Sequence, residues 1–323
     1  MSVTLVGKHE KDSRANRDAY VSAMLEMMET DDKICHVDCD LMNCIATKKL
    51  LKAHPDRTFN AGIAEANAVG LSAGLASTGM NVFVHSFGIF ASRRVFDQAF
   101  LSVGYSEWPV HIVGSDPGVS AAFNGGTHMP FEDCGLYMNV PNFVIVDPCD
   151  YVQLYSLTKK LAYCGSPSYM RMVRKGIVKV YDDGSDFEIG KGYQIREGGD
   201  VTLIASGILV DEALKAGEAL EAKGISARII DLPTWKPLDE QIILKAAEET
   251  GAIVTCENHQ VATGLGSAIA NLLAQKKPTP MEFIGVQNRF GQVGPADFLF
   301  DEYNLRAKDI CGAVDKVLER KAK

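Results

Sequence analysis

Short β-like runs and longer helical stretches alternate along the whole chain, and this constrains the fold more than any other feature of the sequence. Strands that each follow a helix pair most simply in parallel, in an open sheet covered by helices. The pattern predicts a helix over Arg14–Glu29, where Tyr20, Met24, Leu25, Met27 and Met28 form an apolar stripe. Next come a strand at Lys33–Val37, a helix near Asn43–Ala53, a short strand at Arg57–Asn60 and a small-residue helix over Ala64–Ser77. Asn81–His85, Pro109–Val113, Asn142–Val146 and Ser168–Val173 read as further strands, with helices at Phe90–Gly104 and Tyr151–Tyr163. The Gly-rich stretch Gly114–His128 reads as a loop, and one so long inside a compact domain is usually functional.

The alternation lapses over Tyr181–Asp200, which is rich in Gly and Asp and carries little apolar periodicity. It then resumes, with strands at Val201–Ala205, Ser226–Asp231, Ala252–Cys256 and Glu282–Val286. Helices fall near Val210–Lys223, Asp239–Glu249, Gly266–Gln275 and Ala307–Glu319. The expected fold is therefore α/β with two doubly wound domains, at residues 1–175 and 198–323, joined by a linker at 176–197. A length of 323 residues suits two such domains.

Charge and hydropathy exclude several functions. With 33 Lys and Arg against 41 Asp and Glu, the net charge of −8 argues against general nucleic-acid binding. No run approaches the roughly 18 apolar residues of a membrane span, and the start lacks the pattern of a secretory signal. A cytoplasmic location follows as the expectation, with eight cysteines as free thiols. The spacing of Cys35, Cys39 and Cys44 matches neither a zinc nor an iron–sulfur site.

Individual residues leave two readings open. Glu65 in GIAEANAVG is either a carboxylate favoured by the helix dipole or an acid/base group where a strand turns into a helix. His128 ends the Gly-rich loop, as solvated surface or as a proton donor to substrate oxygens. Phe87 and Phe90, three apart, taken alone suit a core more often than a cofactor cradle. No Gly-Asp-Gly segment followed by paired asparagines, of the kind that holds a metal and a diphosphate, occurs in the chain.

Taken together and in order, several segments resemble the C-terminal half of transketolase, most closely the separate C-terminal subunit found where that enzyme is split over two chains. They are SRANRD near Arg14, VDCDL at Val37–Leu41, GIAEANAVGLSAGLA at Gly62–Ala76, FGIFASRRVFDQ at Phe87–Gln98 and GGTHMPFED at Gly125–Asp133. VPNFVIVDPCD at Val140–Asp150, CENHQVATGLGSA at Cys256–Ala268 and FGQVGP at Phe290–Pro295 complete the set. The resemblance implies a thiamine diphosphate enzyme, with a pyrimidine-binding domain followed by the family's C-terminal domain. The diphosphate and its Mg2+ would be held by an N-terminal partner subunit, in an α2β2 assembly.

Residue by residue, the resemblance implies that Glu65 hydrogen-bonds the aminopyrimidine ring, that Phe87 and Phe90 pack on it, and that Arg93 stands in the same pocket. Asp40, Leu41 and Ile63 would line the rest of the cofactor site. His128 would serve the substrate's reacting oxygens, while Arg14 and Arg174 would grip a sugar phosphate, with Cys44 near them. The pattern departs at Ser115-Asp116, where transketolases carry Thr-His, and at Phe123-Asn124-Gly125, where they carry Glu-Asp-Gly. Asp116 and Asn124 thus point to an unusual or branched sugar, or to a different anionic group. A decarboxylating enzyme with the same layout (a 2-oxoacid dehydrogenase β subunit or a deoxyxylulose phosphate synthase) and a non-catalytic scaffold are the alternatives.

Overall fold

The computed structural model describes residues 3–322, arranged around two sheets. The first half supplies β1 (Ile34–Asp38), β2 (Thr58–Asn60), β3 (Asn81–Phe87), β4 (Val110–Ser115), β5 (Val144–Val146) and β6 (Ser168–Met172). The second supplies β7 (Tyr193–Arg196), β8 (Val201–Ala205), β9 (Ala227–Asp231), β10 (Thr234–Lys236), β11 (Ile253–Gln260) and β12 (Met281–Val286). The strand orders are β10-β5-β6-β4-β3-β1-β2 and β12-β11-β8-β9-β7. Strands β1, β4, β6, β8 and β9 are buried along their whole length, as parallel strands covered on both faces must be.

The helices are α1 (Asn16–Thr30), α2 (Lys48–Ala53), α3 (Glu65–Ser77), α4 (Asp133–Met138), α5 (Tyr151–Ala162), α6 (Leu209–Glu221), α7 (Glu240–Thr250), α8 (Leu265–Lys276), α9 (Ala296–Glu302) and α10 (Ala307–Lys321). Their ends follow local chemistry. Asp150 accepts the Gln153 N–H at 2.8 Å to start α5. Asp239 starts α7 in the same way, and Gly251, at φ 63°, stops it in the left-handed conformation. In α3 the small residues Ala68, Ser72, Ala73 and Ala76 form the buried face, which lets the helix lie close on β3.

Several elements differ from the expectation. The helix expected over Phe90–Gly104 is a 3-10 turn at Arg93–Val95 and a π-helix at Gln98–Tyr105. Gly104 admits Val140 and Phe143 where a side chain would stand, and its carbonyl accepts from Asn142 at 2.7 Å, contacts that hold the segment in a wide turn. The helix expected from Asn43 begins only at Lys48, because the Leu41 N–H and the Thr47 hydroxyl are drawn onto Asp38. The Gly114–His128 loop contains short 3-10 turns at Gly118–Asn124 and Gly126–His128. The short helices α4 and α9 have no counterpart in the apolar pattern. The expected linker at 176–197 is not featureless, since β7 forms within it and pairs antiparallel with β9.

The two sheets are locked together. β10, from the second half, joins the first sheet antiparallel to β5. The fully buried Arg171 on β6 donates to Asp133 Oδ2 at 2.9 Å and Oδ1 at 2.5 Å, and to the Asn258 carbonyl of β11 at 3.1 Å. Tyr169 donates to the same Asp133 at 2.7 Å, and Trp235 lies over Arg171 at 5.4 Å. A second buried junction centres on Asp231, which accepts from Tyr181 and Gln153 at 2.6 Å each. Burial raises the Asp231 pKa to about 7.

Candidate functional site

The loops that follow β1, β3, β4 and β6 gather at the carboxyl ends of parallel strands, the edge at which open α/β sheets bind ligands. Four non-glycine residues there or nearby have left-handed backbone: Asp40 (φ 63°), Ala46 (62°), Asp116 (56°) and Ala122 (47°). Such conformations concentrate where surrounding structure fixes a functional geometry.

Glu65 is the first residue of α3, and its carboxylate is buried. Ser86 Oγ donates to its Oε1 at 3.2 Å and Arg94 Nη1 to its Oε2 at 2.8 Å. The Arg94 guanidinium lies 4.1 Å over the Phe90 ring. The corner between Glu65 and Phe90 therefore already receives a planar N–C–N group, stacked on an aromatic ring and donating to a carboxylate. His128 sits edge-on to both Phe87 (5.6 Å) and Phe90 (5.1 Å), with Nδ1 3.0 Å from Thr127 Oγ1. Arg174 lies 5.2 Å over Phe87, and its Nε donates to Asp116 Oδ2 at 2.7 Å.

A buried polar chain runs beneath these groups. His85 bridges Asp38 Oδ2 (3.4 Å) and Ser115 Oγ (3.0 Å), while His36 lies 3.6 Å from Asp38 and shares a hydrogen bond with the Tyr20 hydroxyl at 3.1 Å. Burial alone would raise the Asp38 pKa, but the flanking His36 and His85 imidazoles outweigh it and hold the carboxyl below the usual range. Burial lowers the pKa of His85, despite Asp38 beside it.

The remaining expected residues divide. Asp40 is exposed and held by Asn60, whose Oδ1 accepts its N–H at 3.0 Å. Leu41 and Cys44 are half-buried on the same loop, and Ile63 is 78% exposed just before Glu65. Asn124 is exposed beside Phe123, at the tip of the loop that ends in His128. Arg93 turns to Glu132 at 3.0 Å, so Arg94 is the arginine that meets Glu65. A 3-10 turn brings the second of the two forward where a helix was expected, which sequence spacing could not reveal.

Arg14 also lies elsewhere. It is forked onto Asp12, paired with Asp183 at 2.9 Å and laid 4.0 Å over Tyr151. Arg17, three residues on and overlooked in the sequence, is the neighbour of the expected site residues. Its Nη1 donates to the Cys44 carbonyl at 2.8 Å, and its backbone N–H to the Arg174 carbonyl at 3.2 Å. The helical period was the available signal, since Arg17 lies inside the first turn of α1 where Arg14 precedes it. Among the described residues no group of three or more His, Cys, Asp or Glu could hold a metal ion. No helix among them is long and apolar enough to cross a membrane, and all eight cysteines are free.

The family model described as "Transketolase, pyrimidine binding domain" matches residues 12–178, and "Transketolase, C-terminal domain" matches 190–310. A Clostridium sp. protein named "6-deoxy-6-sulfo-D-fructose transketolase subunit SqwH" is 44% identical over 94% of this chain and 95% of its own length. One of the subunits of an apulose-4-phosphate transketolase from Phocaeicola vulgatus is 36% identical over 92% of this chain and 95% of its own. A solved structure described as "Split gene transketolase, inactive beta4 tetramer" superposes with a TM-score of 0.89 at 38% identity, covering 95% of this chain and 99% of that one.

Proposed function

This chain belongs to the transketolase family, and we propose that it is the pyrimidine-side subunit of a split, thiamine diphosphate-dependent transketolase. The reaction is transfer of a two-carbon ketol unit from a ketose to an aldose, on an unusual sugar. The observation that carries this reading is the corner of buried Glu65, Phe90 and Phe87 with His128 against both rings. The fit to an aminopyrimidine rests on the Arg94 guanidinium, a planar N–C–N donor that this corner already accepts. Bound there, the cofactor supplies the nucleophilic carbon that ketol transfer needs.

The chain's own groups hold and move protons. The Glu65 carboxylate would take a hydrogen bond from a ring nitrogen once Arg94 swings aside, and the buried position keeps water from competing for it. Phe87 and Phe90 bound the ring, with Asp40, Leu41 and Ile63 on the side of the β1 and β2 loops. With Nδ1 at Thr127, His128 has Nε2 free to give and take the proton at the substrate oxygen. Cys44, Asp116, Asn124 and Arg174 would meet the sugar, joined by Arg17. The diphosphate and its Mg2+ fall to an N-terminal partner subunit in an α2β2 assembly. We place the assembly in the cytoplasm, where free thiols stay reduced.

The test is co-purification with the native partner, followed by assays with thiamine diphosphate and Mg2+ against ketose phosphates, sulfonated ketoses and pyruvate. Glu65→Ala is expected to cost the complex about 10²–10⁴-fold in rate, the range for a positioned proton-transfer group. Full activity in that variant would favour a scaffold, and pyruvate consumption would favour a decarboxylating enzyme.

A further inference from the structure

Four segments bring charged or polar groups together beside Phe87. They are Arg17 on α1, Cys44 after β1, Asp116 after β4 and Arg174 after β6. The Arg17 N–H donates to the Arg174 carbonyl and its Nη1 to the Cys44 carbonyl, and Arg174 covers Phe87, the ring that His128 meets edge-on. Arg17 Nε is buried and has no hydrogen-bond partner in the chain. Two guanidinium groups alone would suit a doubly charged anion. Asp116 changes that count. Its carboxylate is 4% exposed and takes both Nε (2.7 Å) and Nη2 of Arg174 on Oδ2.

We propose that the Asp116–Arg174 pair makes this end of the site selective for a sugar bearing a singly charged terminal group, such as a sulfonate, over a phosphate dianion. The proposal deepens the ketol-transfer reading and rests on it. A dianion close enough to Arg174 also meets the Asp116 carboxylate, and like charges repel strongly where water is scarce. Asp116 offsets one of the two guanidinium charges, so this trio carries one net positive charge to meet three oxygens that share one negative charge; Lys11 and Lys175 line a cavity with Asp116 but make no ion pair with it. Asp116 is fixed in place by its left-handed backbone and by its N–H donated to the Met172 carbonyl at 3.0 Å. His85 faces it from β3, but burial lowers that imidazole's pKa, so at neutral pH it adds no compensating charge. No other charged side chain among the described residues hydrogen-bonds to Asp116 or Arg174.

The experiment uses the assembled complex and two donors matched except at C6, 6-deoxy-6-sulfofructose and fructose 6-phosphate. At pH 8 the sulfonate is expected to lead in kcat/KM by at least about tenfold, the loss a like charge at the site imposes. Lowering the pH from 8 to 5.5 should raise the phosphate arm, as the ester passes its second pKa of about 6 and becomes a monoanion. The sulfonate arm should stay flat over that range. In Asp116→Asn the phosphate-to-sulfonate ratio should rise at least about tenfold, and the rise toward acid pH should vanish. A wild-type preference for phosphate at pH 8, or a ratio unchanged in the variant, would overturn the proposal. If the variant fails to fold, the wild-type pH profile decides. If neither sugar gives ketol transfer, the proposed reaction fails; calorimetric titration of the complex with the two sugars then still reads the charge preference.

Discussion

Replacing Arg171 with Met removes the cation on which the two sheets converge, and its cost follows from what is left behind. Asp133 is fully buried and loses two of its three donors, at 2.9 and 2.5 Å, keeping only the Tyr169 hydroxyl. The Asn258 carbonyl on β11 loses its donor at 3.1 Å as well. Breaking a buried pair in this way costs about 3–5 kcal/mol, because an uncompensated charge remains in low dielectric. The loss must depend on pH. Burial would raise the Asp133 pKa, but the charge and hydrogen bonds of Arg171 hold it below the usual carboxylate range. In the wild type this carboxylate therefore stabilises above its unfolded pKa and loses that contribution as pH falls through the folded one. In the variant burial dominates, Asp133 binds a proton on folding, and the penalty grows as pH rises from about 4. Urea unfolding followed by tryptophan fluorescence should show a deficit of about 3–5 kcal/mol at pH 7.5, shrinking toward pH 4. Arg171→Met with Asp133→Asn should recover at least half of it. A deficit under about 1 kcal/mol at pH 7.5, or a double variant no better than the single, would refute the reasoning.

Three further outcomes are expected. Asp231 has a folded pKa of about 7, so the folded state holds a proton that the unfolded chain releases, and its contribution falls as pH rises from about 4 to 7. Asp231→Asn should lessen that fall by roughly 2–3 kcal/mol between pH 5 and 8.5; the same change in urea midpoint between those two pH values in both proteins would contradict this. A Cβ at Gly126 would lie 2.1 Å from the Gly291 carbonyl, so Gly126→Ala should wedge the Phe290–Pro295 segment off the His128 loop. Its kcat/KM in the complex should drop about tenfold or more, as expected for a misplaced proton-transfer group, with stability reduced by about 1–3 kcal/mol as for other overpacked sites. His85→Leu would take one donor from Asp38, which keeps the Leu41 N–H and the Thr47 hydroxyl, and would leave Ser115 Oγ without its partner; a loss of about 1–3 kcal/mol in urea unfolding is expected, and no loss would mean that the buried chain does not support the loops above it.

The sequence disclosed what periodicity and composition encode. The parallel strands and the longer α/β helices have patterns long enough to read, and Glu65 stands visibly where a strand gives way to a small-residue helix. What stayed hidden depends on contacts between distant segments. β10 is three residues long and owes its place to β5, far earlier in the chain. The π-helix arises from Gly104 meeting Val140 and Phe143. Which of two adjacent arginines faces Glu65, and whether Arg14 or Arg17 borders Cys44, turns on the phase of one short turn and on the exact start of α1. The His85–Asp38–Ser115 chain needs the register of three strands, which no local pattern carries. The departure at Asp116 was legible as a charge; that it is spent on Arg174 was not.

The placement of β10 also bears on how the protein can be taken apart. The segment between residues 176 and 197 looks like a seam, and a gene cut there would yield one piece bearing Glu65, His128 and Arg174. That piece would lack Thr234–Lys236, and Val144–Val146 would become a bare apolar edge, open to pairing with any passing strand. Expressed alone it should be sticky, whatever the soundness of its own core. The two halves are separable as patterns in the sequence yet form one object for cloning, permutation or domain exchange, and a workable division must carry β10 with the half it completes.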